Sequence, residues 1–356
     1  MPGLVAPRPS AAALTAFAVQ ALERAGMEQA KAAAVADVLV EGDLLGHTTH
    51  GLQLLPLYLA EIEKREMTLS GEPSVLADHE AAVTWDGRRL PGPWLTLGAI
   101  ALSCARAKQL GSCSVVIRRS HHIGCLAAYL QRVTEQGLMI LLTCSDPSGT
   151  GVAPHGGSRG AYTPNPLAAA WPTGGGDPVM LDVCQSITTN LMTRRLHAEG
   201  RRFPAQWAVD NRGQPTDDPG ALFTDPPGAL LPMGGTDHGH KGYALGLLVE
   251  ALTGGLAGHG RADAREGWGA TVFLQVFDPA RFGGRGDFER QTSWLSRICR
   301  ETPPRPGFER VRLPGENGLR RREAQLEGGV ELHPDTVPAL RPWAQKLGIP
   351  LPEPLA

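Results

Sequence analysis

The stretch Gly46-His47-Thr48-Thr49-His50-Gly51 separates two segments of helical pattern and governs how the N-terminal part of the chain is read. Upstream, residues 28–45 carry Ala, Val and Leu at helical spacing; downstream, residues 52–66 (LQLLPLYLAEIEKRE) resume an amphipathic pattern. Helix–helix joints are ordinarily a handful of polar or turn residues. This one gives two of its six positions to histidine, beside two hydroxyls and two glycines. Histidine is the side chain whose ordinary pKa lets it both give and take a proton near neutrality. Glycine leaves room for another molecule to approach the backbone. Two readings fit: a helix cap, with Thr48 or Thr49 as N-cap and solvated imidazoles, or a proton donor at the mouth of a cleft.

At 356 residues the chain is long enough for two or three lobes around a substantial core. A formal charge of -2 with both signs mixed gives no polyanion-binding signature, so no nucleic-acid partner is expected. No apolar run approaches the ~18 residues that span a bilayer. The opening MPGLVAPRPSAAALTAF lacks the plan of a secretory signal and reads as a short frayed tail before a helix capped by Ser10. The six cysteines are scattered without a C-x-x-C pair, which points to free thiols in a reducing cytoplasm. The 44 glycines and 30 prolines indicate many tight turns rather than disorder, because apolar strand-like runs interleave with them.

Along the chain, helices are expected over residues 10–25, 28–45 and 52–66, followed by short strands at 75–77 and 82–85 closed by the turn pair Asp86-Gly87. A helix is expected over 93–109; after it a buried-type strand at 113–118, a helix through Gln136 and a strand at 138–143 form a β-α-β unit. Ser120, His121 and His122 then sit after a strand's C-terminal end, where open α/β sheets place ligands, although satisfied turn histidines fit the same pattern. Strands follow at 167–171 and 179–184, with a helix over 186–196 and a strand in 207–215. The glycine-dense stretch 234–242 (GGTDHGHKG) reads as a loop ahead of a helix over 243–256, with Lys241 adding positive charge to amides suited to phosphate. Residues 271–277 form a central strand, 287–300 an amphipathic helix, and the remainder an extended arm with terminal helical turns.

Neither G-x-G-x-x-G after a strand nor G-x-x-x-x-G-K-[ST] occurs, so Rossmann and P-loop readings lack support, and no G-x-S-x-G elbow argues for an α/β-hydrolase. His47 and His50, with His238 and His240, could supply zinc ligands, but no helix-borne H-E-x-x-H accompanies them, and no metal is expected.

Taken in order, several landmarks resemble the malate/L-lactate dehydrogenase family sometimes called type 2, which includes L-sulfolactate, ureidoglycolate and diketogulonate dehydrogenases or reductases and Δ1-piperideine-2-carboxylate reductases. They are Thr49-His50-Gly51 (the family usually shows Ser first), Ser120-His121-His122, Pro154-His155-Gly156, Asn165-Pro166, the strand bearing Asp182, His240-Lys241-Gly242, and Leu313-Pro314-Gly315-Glu316. The likeness runs from about residue 10 to 345. It implies a non-Rossmann α/β fold of the L-sulfolactate dehydrogenase type, with a mixed sheet flanked by helices. The expected division is a helical domain of residues 1–75, completed by 305–356, and a catalytic α/β domain of 76–304.

The resemblance further implies a homodimer that binds NAD or NADP, with NADPH the first expectation, and a cofactor pocket drawing on Ser120, His121, His122, Thr163, Asn165, Asp182, Cys184, Ser186, His240, Lys241, Gly242, Gly315 and Glu316. His50, with Thr49, takes the acid/base role: as hydride reaches a carbonyl or imine carbon, an imidazolium supplies the proton. His47, Leu54, Arg118 and Met192 are expected around the substrate. Family members acting on 2-oxo or 2-imino acids carry an arginine where this chain has Leu54, and some carry Asp or Lys where it has Met192. The usual Gly-Thr before Asn-Pro is Thr163-Pro164 here. Either Arg118 or Arg119 has replaced the carboxylate clamp, or the substrate lacks a free carboxylate beside the reacting carbon. The expected activity is NAD(P)H-dependent reduction of a C=O or C=N bond in a small metabolite. The alternatives are a cofactor-binding scaffold that has lost efficient chemistry, or a metal-dependent hydrolase using His47 and His50.

Overall fold

The computed structural model describes residues 8–353; the expected frayed tail lies mostly outside them. Helix α1 (Ala11–Arg24) begins where the Ser10 hydroxyl accepts the Ala13 N–H at 3.1 Å, the expected cap. Helix α2 (Gln29–Leu44) is apolar on nearly all sides because it is covered on both. Its Val35 and Leu39 pack with α1 and with α3 (Leu55–Glu63), while Val38 joins the core beneath the sheet. Val330, Leu340, Ala344 and Ile349, from near the chain's end, complete the helical cluster.

Next come β1 (Ser74–Asp78), β2 (Ala82–Asp86), α4 (Gly92–Leu110), β3 (Ser112–Ser120), the single turn α5 (Gln131–Thr134), β4 (Met139–Ser145), β5 (Leu167–Trp171), β6 (Val179–Val183) and α6 (Asn190–Ala198). A minor sheet of β7 (Ala208–Val209), β8 (Pro215–Thr216) and β9 (Ala229–Leu230) precedes α7 (Gly235–Glu250). The rest is β10 (Ala270–Phe277), α8 (Arg285–Glu301), α9 (Glu316–Gly328) and α10 (Thr336–Leu347). The major sheet has the order β1-β2-β3-β10-β4-β5-β6. Only β2 and β3 are parallel neighbours in it; β10 runs antiparallel to both β3 and β4.

Four expectations change. The strands β3 and β4 do not pair directly, because β10 lies between them, and their link is a 3-10 turn (Leu126–Tyr129) plus α5 rather than a long helix. The β1–β2 hairpin turns at His79–Ala81, where Glu80 has φ +59°, while Asp86 instead accepts the Arg88 N–H and starts the next turn. The arm at the C-terminal end contains two full helices, α9 and α10.

The fourth change concerns the glycine-dense stretch, which is itself the first half of α7, interrupted at His238 (φ −121°, ψ 15°). Its glycines serve close packing. A Cβ on Gly242 would lie 2.5 Å from the Met233 backbone, and one on Gly246 would lie 2.8 Å from the Tyr162 ring. No described helix is long and apolar enough to cross a membrane.

Candidate active site

The histidine-bearing hexapeptide is anchored from beneath by Asp43, near the end of α2. Its Oδ2 accepts the Leu52 N–H at 2.7 Å, and its carboxyl sits directly under Gly51, where a Cβ would approach to 2.3 Å. Only glycine fits there. Burial pushes the Asp43 carboxyl up to about 7, against the pull of the Leu52 N–H and of the Arg195 guanidinium. Arg195, from α6, donates to the Thr48 hydroxyl at 3.2 Å and to the Gln53 side-chain Oε1 at 2.6 Å, tying the loop from the opposite side.

Held this way, His50 is half-buried on the wall of a cavity of about 810 Å³. The Thr49 hydroxyl lies 2.9 Å from its Nδ1, and the His122 ring is 6.1 Å away centroid to centroid. Desolvation drives the His50 pKa down to about 4; the Asp182 carboxylate opposes this, and His47 and Arg195 add to it. His122 is also held well below the ordinary histidine range by burial, then by His50 and His121. Its Nδ1 lies 2.8 Å from the Tyr58 hydroxyl and its ring stacks on Trp268 at 4.6 Å.

Asp182, on β6, accepts the Ala127 N–H at 2.9 Å and lies 3.7 Å from the Cys125 thiol. Asn165 has φ +48° and is clamped by Thr163, which donates to its Oδ1 at 2.8 Å, and by Glu250, which accepts from its Nδ2 at 2.8 Å. Glu250 in turn pairs with Arg261 at 2.8 Å. Thr163, Asn165, Asp182, Cys184, Ser186 and Met192 all line the same cavity as His47, Thr49, His50 and His122. A second cavity of about 540 Å³ shares His47, Asp182 and Val183 with it and continues along Arg312, Gly315 and Asn317.

Other expected residues lie off these walls. Leu54 is fully buried in the helical cluster; Leu57, one turn on, faces the cavity instead. Arg118 is held by Asp86 at 3.1 Å, and Arg119 by Asp86 and Glu266, so neither guanidinium replaces the clamp in the main cavity. His121 is fully buried behind His122, between Tyr58 and Trp268, and burial lowers its pKa to about 3. Ser120 borders only a separate small hollow and donates to the His121 carbonyl. His240, Lys241 and Gly242 line neither cavity, because α7 turns them elsewhere: His240 meets His155, Lys241 is exposed, and Gly242 packs on backbone. Glu316 accepts the Leu313 N–H from the turn ahead of α9 and pairs with Arg300, Arg310 and Arg320. The local sequence pattern does not single out Asp43, Tyr58, Cys125 or Trp268 as site residues. An acid inside the apolar run of α2 was a usable signal for the first.

A cleft with an imidazole fixed by a hydroxyl on Nδ1, a carboxylate on the same wall and predominantly apolar walls is the kind of site that moves a proton beside a reacting small molecule. The family model for malate/L-lactate dehydrogenase matches residues 10–341, and the chain belongs to that family. It is 33% identical over 324 residues to an L-lactate dehydrogenase of Cupriavidus necator, covering 89% of this chain and 91% of that protein. It is also 33% identical over 350 residues to the (2R)-3-sulfolactate dehydrogenase (NADP(+)) of Chromohalobacter salexigens, covering 92% and 95%. The fold superimposes on malate dehydrogenase from Entamoeba histolytica with a TM-score of 0.90 at 24% identity, covering 97% of this chain and 99% of that one. The protein is thus an oxidoreductase of the dehydrogenase and reductase type, with the non-Rossmann mixed α/β fold of that family.

Proposed function

We propose that the protein interconverts a carbonyl or imine and its reduced form with NAD(P)H, using His50 as the proton-transfer group. The observation that carries this is the placement of His50 on the cavity wall, with Thr49 on Nδ1 and the Asp182 carboxylate on the lining of the same cavity. With Nδ1 engaged by the hydroxyl, Nε2 is the nitrogen left for substrate. In the open cleft the imidazole is neutral at pH 7, the form that accepts a proton from an alcohol or amine. In the reducing direction the imidazolium must be populated, and Asp182 is the group that favours it.

The dinucleotide, when bound, supplies or accepts the hydride. The residues present fit it: the two cavities share a wall at His47 and Asp182, and the second ends at the N-terminus of α9. There Gly315 (φ +88°) packs against Met180, where a Cβ would come to 2.8 Å, and Arg312 on the same cavity wall offers positive charge to a phosphate. NADP fits this reading with the sulfolactate relative; His240 and Lys241 would take part only from outside the two cavities.

Leu57, Met192, Met233 and Trp268 make the larger cavity's walls apolar, and the cations on its lining are Lys64 and Arg194. This favours a ketone or cyclic imine carrying less charge than a 2-oxo acid held by an arginine clamp. The apolar side chains left exposed on α7 and α8 (Leu245, Leu247, Leu248, Trp294, Leu295) suit a homodimer contact. A two-lobe division at residues 75 and 305 and a cytoplasmic setting complete the proposal. A His50→Asn variant tests it: turnover with ketones or cyclic imines should fall by about 10²–10⁴-fold while dinucleotide affinity is retained. Wild-type protein that binds dinucleotide yet turns over neither class would point to a scaffold instead.

A further inference from the structure

His47, Cys125 and Asp182 converge from three separate parts of the chain. His47 comes from the loop after α2, Cys125 from the residue before the 3-10 turn, and Asp182 from β6. One donor atom from each, an imidazole nitrogen, the thiol sulfur and a carboxylate oxygen, lie within 4.8 Å of one another. A tetrahedral ion with Zn–N near ~2.0 Å and Zn–S near ~2.3 Å has edges of roughly 3.3–3.8 Å, so the three side chains close in on it by a small movement.

The donors are available. Among the described residues the His47 imidazole makes no hydrogen bond, and Asp182 takes the Ala127 N–H and the thiol on Oδ2, leaving Oδ1 free. The place is also reachable. All three residues line the larger cavity, and His47 and Asp182 line the smaller one too, so an ion and a fourth, water ligand can enter from either side.

From this convergence we infer that the floor of the cleft is an inhibitory site for a borderline-soft divalent cation such as zinc, held by His47, Cys125 and Asp182. The donor set chooses the ion. One sulfur, one nitrogen and one oxygen suit zinc, cobalt or cadmium, and disfavour magnesium and calcium, which want oxygens only. Binding replaces the S–H bond of Cys125 with a sulfur–metal bond and releases that proton to solvent; no oxidation state changes. The ion ligates Asp182, the carboxylate on the same cavity lining as His50, and occupies space the substrate needs. The inhibition rests on the proposed role of His50; the binding does not.

The test uses the full-length protein and cobalt(II) as a spectroscopic probe. One equivalent should bind and show a thiolate-to-cobalt charge-transfer band, which zinc displaces and magnesium does not. Cys125→Ser should abolish the band, and His47→Asn should weaken binding at least tenfold. In turnover assays zinc should inhibit reversibly on chelator addition, with sensitivity falling at least tenfold in Cys125→Ser. Thermal unfolding of each variant separates loss of the site from loss of fold, and Cys125→Ala serves if the serine variant does not fold. Absence of stoichiometric cobalt binding, or a band that persists in a folded Cys125 variant, overturns the site. Binding without inhibition of an active enzyme overturns the inhibitory role alone, and an inactive enzyme that still binds cobalt leaves the site standing while the proposed activity falls.

Discussion

Replacing Asp43 by Asn should make the protein's stability less dependent on pH. In the folded state burial carries this carboxyl from its ordinary 3.8 to about 7. Ionising it inside the fold therefore opposes folding by roughly 4 kcal/mol at pH 8. The sign follows from proton counting. Between the two pKa values the folded state holds the proton and the unfolded state does not, so stability is greatest below about pH 4 and falls as pH rises to about 7. At pH 5 the same penalty is roughly 1.5–2 kcal/mol. Asn keeps an oxygen for the Leu52 N–H but places an amide NH2 where Oδ1 has no partner, a pH-independent cost of about 1–3 kcal/mol. Urea unfolding of both proteins at pH 5 and pH 8 cancels that cost. The substitution should be more favourable at pH 8 than at pH 5 by roughly 2–3 kcal/mol. An effect of equal size at the two pH values would refute the buried, near-neutral carboxyl.

Gly51→Ala should lower stability by about 1–3 kcal/mol in the same assay, because its Cβ meets the buried Asp43 carboxyl and the loop has to move. Since that loop carries His50, kcat should fall as well, by up to about 10²-fold for a displacement near 1 Å; an unaltered rate would show that the loop does not position the base. In the oxidising direction the active form of His50 is neutral and is lost only as pH falls through about 4, so kcat/KM measured between pH 8 and pH 6 should lack the decline that an ordinary imidazole gives. A decline centred near 6.5 would contradict the desolvated site.

What the sequence disclosed and what it withheld divide along physical lines. The helices around His50, the strands of the major sheet and the central position of β10 followed from apolar periodicity and turn chemistry, which act locally. The insertion of β10 between β3 and β4 depends on pairing across more than a hundred residues, and no local pattern encodes it. The stretch at 234–242 misled because glycines that cradle a ligand and glycines that admit a neighbouring backbone look alike in one dimension. The offset from His50 points to Leu54 as a substrate neighbour, yet the 3-10 turn before α3 directs it into the helical core and brings Leu57 to the cleft. Trp268 reaches His122 from a distant loop, and only the folded chain shows it.

The central claim is that His50 passes a proton to the atom bonded to the carbon that exchanges hydride with the nicotinamide. Determining the structure of the dinucleotide complex and measuring the gap between the nicotinamide C4 and the His50 Nε2 tests this most directly. The account predicts a gap that a single carbonyl or imine fills, with reacting atoms about 3–3.5 Å apart on either side. A nicotinamide ring bound elsewhere in the cleft, with His50 out of reach of any substrate lying against it, would contradict the account.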